Sequence, residues 1–340
     1  MNVLNTLFVL SPGAYVFKDH RNLLVKVDGE VRIRVPIHGL ASVVCFGHAL
    51  MSPEAMGSSV AAGVHVAFFS RTGRFIARVE GLGRGSLALR RSHLRASEDE
   101  GQASKIAKSI VLGKIANSRQ LLLRRARESG DPERTARLSV AADHLARLLP
   151  SLQAAVTLDE IRGYEGDAAA RYFSVFGDCI SAPNFSFPRR SRRPPRDSVN
   201  ALLSFAYAIL LNDCASALAG VGLDPDAGFL HRDRPGRPSL ALDLMEELRS
   251  AFADRLVLAV LNRGQIRPEE FTIEPTGGVS LSESARRDFL ASYQTRKQEE
   301  VSHPFLQQTV PWALIPHLQA RLLARHLRGD LDAYPPFVLR

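Results

Sequence analysis

The 340-residue chain has few cysteines and no long apolar run. Its three cysteines (Cys45, Cys179 and Cys214) are far apart and form no C-x-x-C pair. Neither a disulfide framework nor a cysteine zinc site is therefore expected, and a reducing cytoplasm fits best. No stretch approaches the roughly 18 consecutive apolar residues of a transmembrane helix. The N-terminal residues also lack the basic and apolar regions of a signal peptide.

Three common catalytic signatures are missing as well. The sequence contains no G-x-x-x-x-G-K-[ST], no G-x-S-x-G and no H-E-x-x-H. These absences argue against a P-loop nucleotide hydrolase, an α/β-hydrolase and a metalloprotease of the zincin type. The glycine-rich fragment at 81–86 lacks the final glycine and the βαβ setting of a dinucleotide-binding loop, so we interpret it as part of a linker.

The composition is that of a folded, basic protein. Apolar residues make up 45% of the chain and charged residues 23%, which is typical of chains that fold around buried cores. Lys and Arg number 44 against 35 Asp and Glu, which gives a formal net charge of +9. A charge of this size, if clustered, indicates nucleic-acid binding. An arginine-rich surface that is simply solvated is the alternative.

The first 80 residues show the pattern of β-strands. Residues 31–35 alternate in polarity and follow another apolar run across Asp28-Gly29, a pair that predicts a tight hairpin because both turn positions need positive φ. Further strands are expected at 42–46, 64–69 and 75–79, the last two joined by a turn around Thr72-Gly73, and a short helix at 53–62. We predict a β-rich, sandwich-like domain over residues 1–80 that mediates dimerisation.

The rest of the chain has the period of helices. Gly81, Gly83 and Gly85 interrupt the apolar pattern, and we interpret 81–92 as a linker. Helices are then expected near 106–122, 138–149, 158–176, 200–218, 243–261, 281–298 and 310–327. The segment 200–218 is apolar on nearly every side and should lie buried at the centre. The predicted fold class is α+β and multidomain, with a larger all-α catalytic domain over 93–340.

Three segments carry side chains suited to catalysis or metal binding. Glu165 has glycines on both sides, at 163 and 166, and His231 opens a loop rich in Gly, Pro and Arg. Asp243 and Glu246 share one helix face. Two carboxylates and one imidazole form a reasonable site for Mg²⁺ or Mn²⁺. Each segment also has a simpler explanation: an exposed glutamate, a surface histidine beside a turn, and acidic residues that complement a helix dipole.

A basic segment precedes the apolar helix. Five arginines, interleaved with prolines, follow Phe185 and Phe187: Arg189, Arg190, Arg192, Arg193 and Arg196. Because prolines prevent a helix and like charges repel, we expect a mobile loop that orders on DNA, with phenylalanines that stack on bases. A solvated basic loop is the alternative. A second basic strip comprises Lys105, Lys108, Lys114, Arg119, Arg124, Arg125 and Arg127.

Several segments together resemble the CRISPR-associated integrases of the Cas-one family. The resemblance rests on IAKSIVLGKIANSRQLLLRRAR at 106–127, Tyr164-Glu165-Gly166, NALLSF at 200–205, the Gly228-to-His231 turn and LALDLMEELR at 240–249. It extends from about residue 3 to residue 327, almost the whole chain. The order and approximate spacing of the acid and imidazole motifs, rather than any one motif, make it specific.

The resemblance implies a metal-dependent DNA integrase and endonuclease of CRISPR adaptation. In this family Glu165, His231 and Glu246 would be the catalytic residues and the Mg²⁺ or Mn²⁺ ligands, and Asp243 would support them from the second shell. The family forms homodimers through the β-rich domain and binds a small partner of the Cas-two family. The 3′-hydroxyl of a short DNA fragment attacks a phosphodiester of the CRISPR repeat. A generic metal-dependent nuclease and a non-catalytic DNA-binding scaffold are the alternatives.

Overall fold

The computed structural model describes residues 5–71, 73, 75–81 and 86–339. Thr72 of the predicted turn and Gly83 and Gly85 of the predicted linker lie outside the described residues. The strands are β1 (Thr6–Val9), β2 (Tyr15–Asp19), β3 (Asn22–Val27), β4 (Glu30–Pro36), β5 (Ser42–Phe46), β6 (Leu50–Met51), β7 (His65–Phe69), β8 (Phe75–Val79), β9 (Phe271–Ile273), β10 (Val279–Leu281), β11 (Glu300–His303) and β12 (Gln308–Pro311). The α-helices are α1 (Pro53–Ala61), α2 (Leu87–Glu98), α3 (Glu100–Glu128), α4 (Pro132–Ala154), α5 (Leu158–Ser174), α6 (Ser198–Val221), α7 (Ser239–Leu248), α8 (Asp254–Asn262), α9 (Glu283–Gln298) and α10 (Ile315–Leu327).

Two four-stranded sheets form the N-terminal region. One has the order β1-β5-β7-β8 and the other β4-β3-β2-β6. The predicted hairpin is confirmed: β3 and β4 pair antiparallel across Asp28 (φ 51°) and Gly29 (φ 87°). The short helix is also confirmed, with Ser52 accepting a hydrogen bond from the amide of Ala55 at its N-cap.

Strand β5 explains how the two halves of the chain meet. All five of its residues are buried, because Val43 and Cys45 belong to the core between the sheets while Val44 and Phe46 belong to the helical core. The ring of Phe46 lies 5.9 Å from that of Phe205 on α6. The helical half therefore covers the second face of this sheet, and the β-rich region is one side of a continuous structure.

Helix α6 is the centre of the helical half. By length and composition it could cross a membrane, yet 72% of its most apolar stretch is buried among other parts of the fold. Asp197 caps its start, and Gly222, with φ of 88°, ends it in the left-handed conformation. The prediction of a buried central helix is confirmed, and burial accounts for its apolar composition.

The fold class is confirmed as α+β, and four details differ from the sequence-based expectation. Helix α2 begins at Leu87, inside the segment interpreted as linker. The helix predicted over 243–261 is two α-helices joined by a π-helical segment at Arg249–Ala253. Short hairpins, β9–β10 and β11–β12, lie in the half predicted to be all-α. Helix α10 begins at Ile315 rather than near residue 310, because β12 occupies 308–311.

Candidate active site

Glu165 on α5, Glu246 on α7 and His231 in the loop before α7 lie near one another in the structure. Helix α3 packs against both α5, which carries Glu165, and α7, which carries Glu246. The ammonium group of Lys114 on α3 contacts Glu165 Oε1 and lies 2.7 Å from Glu246 Oε2. His231 Nε2 is 3.8 Å from Glu246 Oε1. The predicted convergence of these side chains is therefore present.

Asp243 fixes the turn that carries His231. Its carboxylate accepts hydrogen bonds from the backbone amides of Phe229 (2.6 Å), Leu230 (3.0 Å) and His231 (3.0 Å). It also lies 2.6 Å from His231 Nδ1. Because the carboxylate accepts, Nδ1 carries the hydrogen, and Nε2 is the ring nitrogen on the side of Glu246. Asp243 thus orients the imidazole without facing the same cation as the glutamates.

The turn itself depends on a glycine. A Cβ on Gly228 would lie 2.7 Å from the Cβ of Ser239 and 3.0 Å from the carbonyl oxygen of His231. Any larger residue would push the turn away from the start of α7, which carries Asp243. The sequence signal at 228–231 therefore reflects close packing between the turn and the helix.

Positive side chains dominate the surroundings of Glu246. Its side chain is 2% exposed, and Arg249 lies 3.0 Å from Oε1. Burial by itself raises the pKa of Glu246, but Arg249, Lys114 and His231 together lower it to about 2. Glu246 is therefore ionised at neutral pH, as a metal ligand or an electrostatic group must be.

A buried aromatic and acidic cluster supports Arg249. Its guanidinium group lies over the ring of Tyr207, 4.9 Å from the centroid. The hydroxyl groups of Tyr207 and Tyr172 donate to Asp254, at 2.5 and 2.8 Å. Burial raises the pKa of Asp254 to about 6. This cluster holds the guanidinium group of Arg249 in place beside Glu246.

Sequence reasoning missed two members of the site, Lys114 and Arg249. Lys114 was placed in a surface strip, yet its side chain is only 11% exposed. Its neighbours on α3 are mostly buried, including Ile110, Gly113 and Ile115, and a lysine among buried positions of a helix is the signal that could have identified it. Arg249 lies three residues after Glu246, a spacing that places both on one side of a helix.

Other residues of the predicted strip are ordinary surface groups. Lys108 donates to the carbonyl oxygen of Gln153, and Arg124 and Arg125 pair with Glu128. Lys105 is exposed. The strip is therefore a set of separate charges rather than one continuous surface.

The arginine-rich loop is anchored, in contrast to the mobile loop expected. The Asn200 side chain donates to the carbonyl oxygen of Arg189 and accepts from the amide of Ser191. Arg196 donates to the carbonyl oxygens of Thr276 and Gly277. Hydrogen bonds thus fix both ends of the loop, which the prolines keep out of a helix.

Arg190 points into the protein rather than toward solvent. It donates to Asn200 Oδ1 at 2.6 Å and lies over the rings of Tyr207 and Phe173. Arg189, Arg192 and Arg193 are exposed. The expected free surface of five arginines is therefore smaller, because Arg190 packs inward and Arg196 is engaged with backbone carbonyls.

The phenylalanines beside this loop are not free to stack on bases. Phe187 is buried against Phe176, with centroids 5.1 Å apart, and Phe185 packs edge-on against Phe271 at 6.1 Å. The prediction of base stacking by these two rings is wrong, since both belong to the packing of the helical half.

The exposed arginines share a positive region with the loop that follows His231. Burial lowers the pKa of Arg237, and repulsion from Arg234 and from Arg193 adds to the effect. Such repulsion requires that Arg193 and the 234–237 segment be near one another. The positive region therefore borders the loop that carries His231.

The side chains of Glu165, His231 and Glu246 are suitable ligands for a divalent cation, but Lys114 lies between the two glutamates. Glu246 Oε2 is buried and makes no hydrogen bond, although the Lys114 ammonium is 2.7 Å away as an ion pair. Within the described part of the chain, no three His, Cys, Asp or Glu side chains are close enough to hold a metal. Glu165, His231 and Glu246 could hold one only if Lys114 moved from between the carboxylates.

Comparisons with known proteins identify relatives of this chain. A family model described as CRISPR associated protein Cas1 matches residues 7–295. The chain is 50% identical to a CRISPR-associated endonuclease Cas1 of Rhodospirillum rubrum, covering 98% of each chain.

Two solved structures have the same fold. One, a casposase bound to integration product, has a TM-score of 0.83 at 21% identity and covers 97% of this chain and 93% of that one. The other, in a Cas6-RT-Cas1–Cas2 complex, has a TM-score of 0.83 at 25% identity and covers 98% of this chain and 36% of that one. With a family model over most of its length and a relative at half identity, the chain belongs to the Cas1 (Cas-one) family of CRISPR-associated proteins.

Proposed function

We propose that this chain is a divalent-metal-dependent DNA integrase and endonuclease of CRISPR adaptation. The observation that carries the proposal is that Lys114 bridges Glu165 and Glu246, and that His231 Nε2 lies 3.8 Å from the other oxygen of Glu246. Relatives that share about half its residues are named endonucleases. The proposed reaction is a transesterification: a fragment's 3′-hydroxyl attacks a phosphodiester of the repeat, a new P–O bond forms, and the old P–O bond breaks to release the repeat strand's own 3′-hydroxyl. Hydrolysis is the same exchange with water as the nucleophile.

Glu165, His231 and Glu246 would hold Mg²⁺ or Mn²⁺. When bound, such an ion neutralises charge on the phosphoryl oxygens and favours deprotonation of the attacking hydroxyl. The protein's contribution is to keep Glu246 ionised, which Arg249 and Lys114 do, and to keep His231 Nε2 facing the site, which Asp243 does.

DNA would approach along the positive region that borders His231. Arg189, Arg192 and Arg193 are exposed there, and repulsion from Arg193 and Arg234 acts on Arg237. Guanidinium groups bind phosphate oxygens in a fork geometry that suits a DNA backbone. Arg190 and Arg196 are proposed to position this loop rather than to contact DNA directly.

The proposed partners are a second copy of the chain and a small protein of the Cas-two family. Apolar side chains are exposed on the edges of the N-terminal sheets, including Val31 (50%), Leu50 (64%) and Ile76 (56%), and a homodimer through this region would cover them. A solved neighbour is part of a Cas1–Cas2 assembly. All three cysteines are free thiols, which supports the proposal of a cytoplasmic protein.

A strand-transfer assay tests the proposal. Purified protein is incubated with supercoiled repeat DNA and a fluorescent fragment with a free 3′-hydroxyl, with and without Mn²⁺ and the small partner. The expected product is fluorescent label joined covalently to the repeat DNA, only when the metal is present. Loss of this product on Glu165→Gln or His231→Ala substitution would locate the chemistry at the site.

The two alternatives give different results in the same assay. A generic nuclease would nick or cut the DNA with Mn²⁺ and transfer no label. A DNA-binding scaffold would retain salt-sensitive affinity for the fragment and give no metal-dependent product. Either result, obtained with folded protein, would contradict the integrase proposal.

A further inference from the structure

Lys114 occupies an unusual place for a lysine. It lies in the middle of α3, and its side chain is 11% exposed. Its ammonium group contacts one oxygen of Glu165 and lies 2.7 Å from one oxygen of Glu246. A lysine this well covered is rare unless it is paired, since desolvation of the charge is costly.

The ion pairs explain why the metal-free site is stable. Glu246 is 2% exposed and Glu165 27%, so two carboxylates that face one another in the interior would repel without a cation between them. Lys114 and Arg249 are the cations that contact Glu246. Arg249 is on the Oε1 side with Tyr207 under it, whereas Lys114 lies between the two glutamates.

We infer that Lys114 is a resident counter-cation that occupies the metal position in the metal-free protein and leaves it when a divalent ion binds. This inference rests on the proposed function, because it concerns the same Glu165 and Glu246 oxygens. Both carboxylates point at one place, and the ammonium and a divalent ion cannot share it. The lysine therefore stabilises the paired carboxylates and would compete with the metal.

The site leaves room for the lysine to move. Glu165 is the more exposed of the two carboxylates, at 27% against 2% for Glu246, so the site is open to solvent on the side of Glu165. Four methylene groups give the lysine a flexible stem, so its ammonium can swing toward this open side while α3 stays in place.

Direct measurement of Mn²⁺ affinity tests the inference. Calorimetric or electron-spin-resonance titrations of the full chain compare wild type with Lys114→Met, which keeps the length of the side chain, and with Lys114→Gln, which keeps a polar end. Lys108→Met is the matched control, because Lys108 is on the same helix and contacts the Gln153 carbonyl instead. Thermal unfolding with and without saturating Mn²⁺ is measured for each variant.

Both Lys114 variants are expected to bind Mn²⁺ about tenfold or more tightly than wild type. Without metal they should melt at a lower temperature, and saturating Mn²⁺ should raise their melting temperature more than that of wild type. Lys108→Met should match wild type in all three measurements. Equal or weaker Mn²⁺ binding by the folded Lys114 variants would overturn the inference.

The inference and the proposed function fail in different ways. If wild type binds Mn²⁺ and Glu246→Gln abolishes binding, the site is right, and the Lys114 variants alone decide the inference. If wild type binds no Mn²⁺, or if Glu246→Gln binds it as well as wild type, the proposed metal site is wrong, and the inference falls with it.

Discussion

Glu246 and Glu247 are neighbours on α7, both buried, and their carboxyl groups lie in opposite electrical surroundings. Glu246 faces Lys114, Arg249 and His231. Glu247 faces the other side, where Gln319 (2.9 Å), the Tyr334 hydroxyl (2.7 Å) and the amide of Phe337 (2.7 Å) donate to it. Burial raises the pKa of Glu247 to about 8, whereas nearby cations lower the pKa of Glu246 to about 2.

The comparison shows that the neighbouring groups, and not burial alone, decide whether a buried carboxyl group is ionised. On the site side, the cations Lys114 and Arg249 stabilise the charge of Glu246. On the opposite side of α7, the tail face, neutral donors form hydrogen bonds with a carboxyl group that holds its proton. Asn117 adds hydrogen bonds to the carbonyl oxygens of Glu247 and Phe337. One face of α7 is suited to chemistry and the other to support.

The largest expected effect comes from exchanging each glutamate for its neutral isostere. Glu246→Gln should lower the rate of metal-dependent DNA cleavage by about 1,000-fold, because it removes a charged group of the site. Glu247→Gln should leave the rate within about threefold of wild type, since that carboxyl group is already uncharged. Single-turnover cleavage of a fluorescent duplex measures both. Equal losses in the two variants would contradict the division of α7 into two faces.

Breaking the tail face should affect stability instead of chemistry. Phe337 is fully buried, and Phe337→Ala should lower the free energy of unfolding by about 3–5 kcal/mol. Urea denaturation measures the change. Leu339→Ala is the control, because that side chain is only partly covered and should cost less. The Mn²⁺ affinity of the folded Phe337→Ala protein should equal that of wild type, and a lost affinity would mean that the two faces are not independent.

The two glutamates should also respond to different ranges of pH. Between pH 4.5 and about 8 folded Glu247 keeps a proton that the unfolded chain has released, so stability falls as pH rises. Between 4.5 and about 2 folded Glu246 stays ionised while the unfolded chain takes up a proton, so stability falls as pH falls.

Urea unfolding in metal-free buffer from pH 5 to pH 8 isolates the Glu247 contribution. Wild type should lose up to about 1.4 kcal/mol per pH unit relative to Glu247→Gln. This slope should fall toward zero as the pH passes the folded pKa of about 8. Parallel profiles for the two proteins would show that Glu247 does not hold its proton in the folded state.

The smallest effect is expected from the arginine-rich loop. Its Arg190 packs over the ring of Tyr207, as does Arg249 of the site. Arg192→Ala with Arg193→Ala should reduce the slope of log affinity against log salt for duplex DNA by about 2, because both side chains are exposed. Arg190→Ala should change this slope little and lower stability by about 1 kcal/mol, since Arg190 packs over Tyr207. Fluorescence anisotropy at several salt concentrations separates the two. A double variant with the wild-type slope would remove the loop from the DNA-binding surface.

The parts of the fold that the sequence predicts well are those with a sustained period. The hairpin at Asp28-Gly29 and helix α6 each repeat one signal over many residues. Strands β9 to β12 have only three or four residues each, too few to establish an alternation. Helix α2 was missed because its start lies next to the glycine cluster interpreted as a linker.

The site was predictable only where its residues recur as motifs. Glu165, His231, Asp243 and Glu246 lie in segments that resemble a family, and the structure brings them together. Lys114 was not found, because a lysine in a sequence looks like surface charge until the helix face it occupies is known. The support of Glu247 by Tyr334 and Phe337 joins positions about 90 residues apart, and no local pattern carries such a contact. The catalytic and metal-binding roles of Glu165, His231 and Glu246 stay predictions, as do the domain boundaries at residues 80 and 92.

The hydrogen bonds between Asn117 and residues 337–339 determine when α3 and α7 are fully supported. Asn117 donates to the carbonyl oxygen of Phe337 and accepts from the amide of Leu339, across 220 and 222 positions of sequence. A nascent chain on the ribosome has α3, α5 and α7 long before it has these partners. Until they emerge, Asn117 and Glu247 lack hydrogen-bond partners that the finished fold provides, and an unpaired buried group of this kind costs about 1–3 kcal/mol. Helices α3 and α7, which line the site, therefore gain this support only after residues 334–339 have been synthesised.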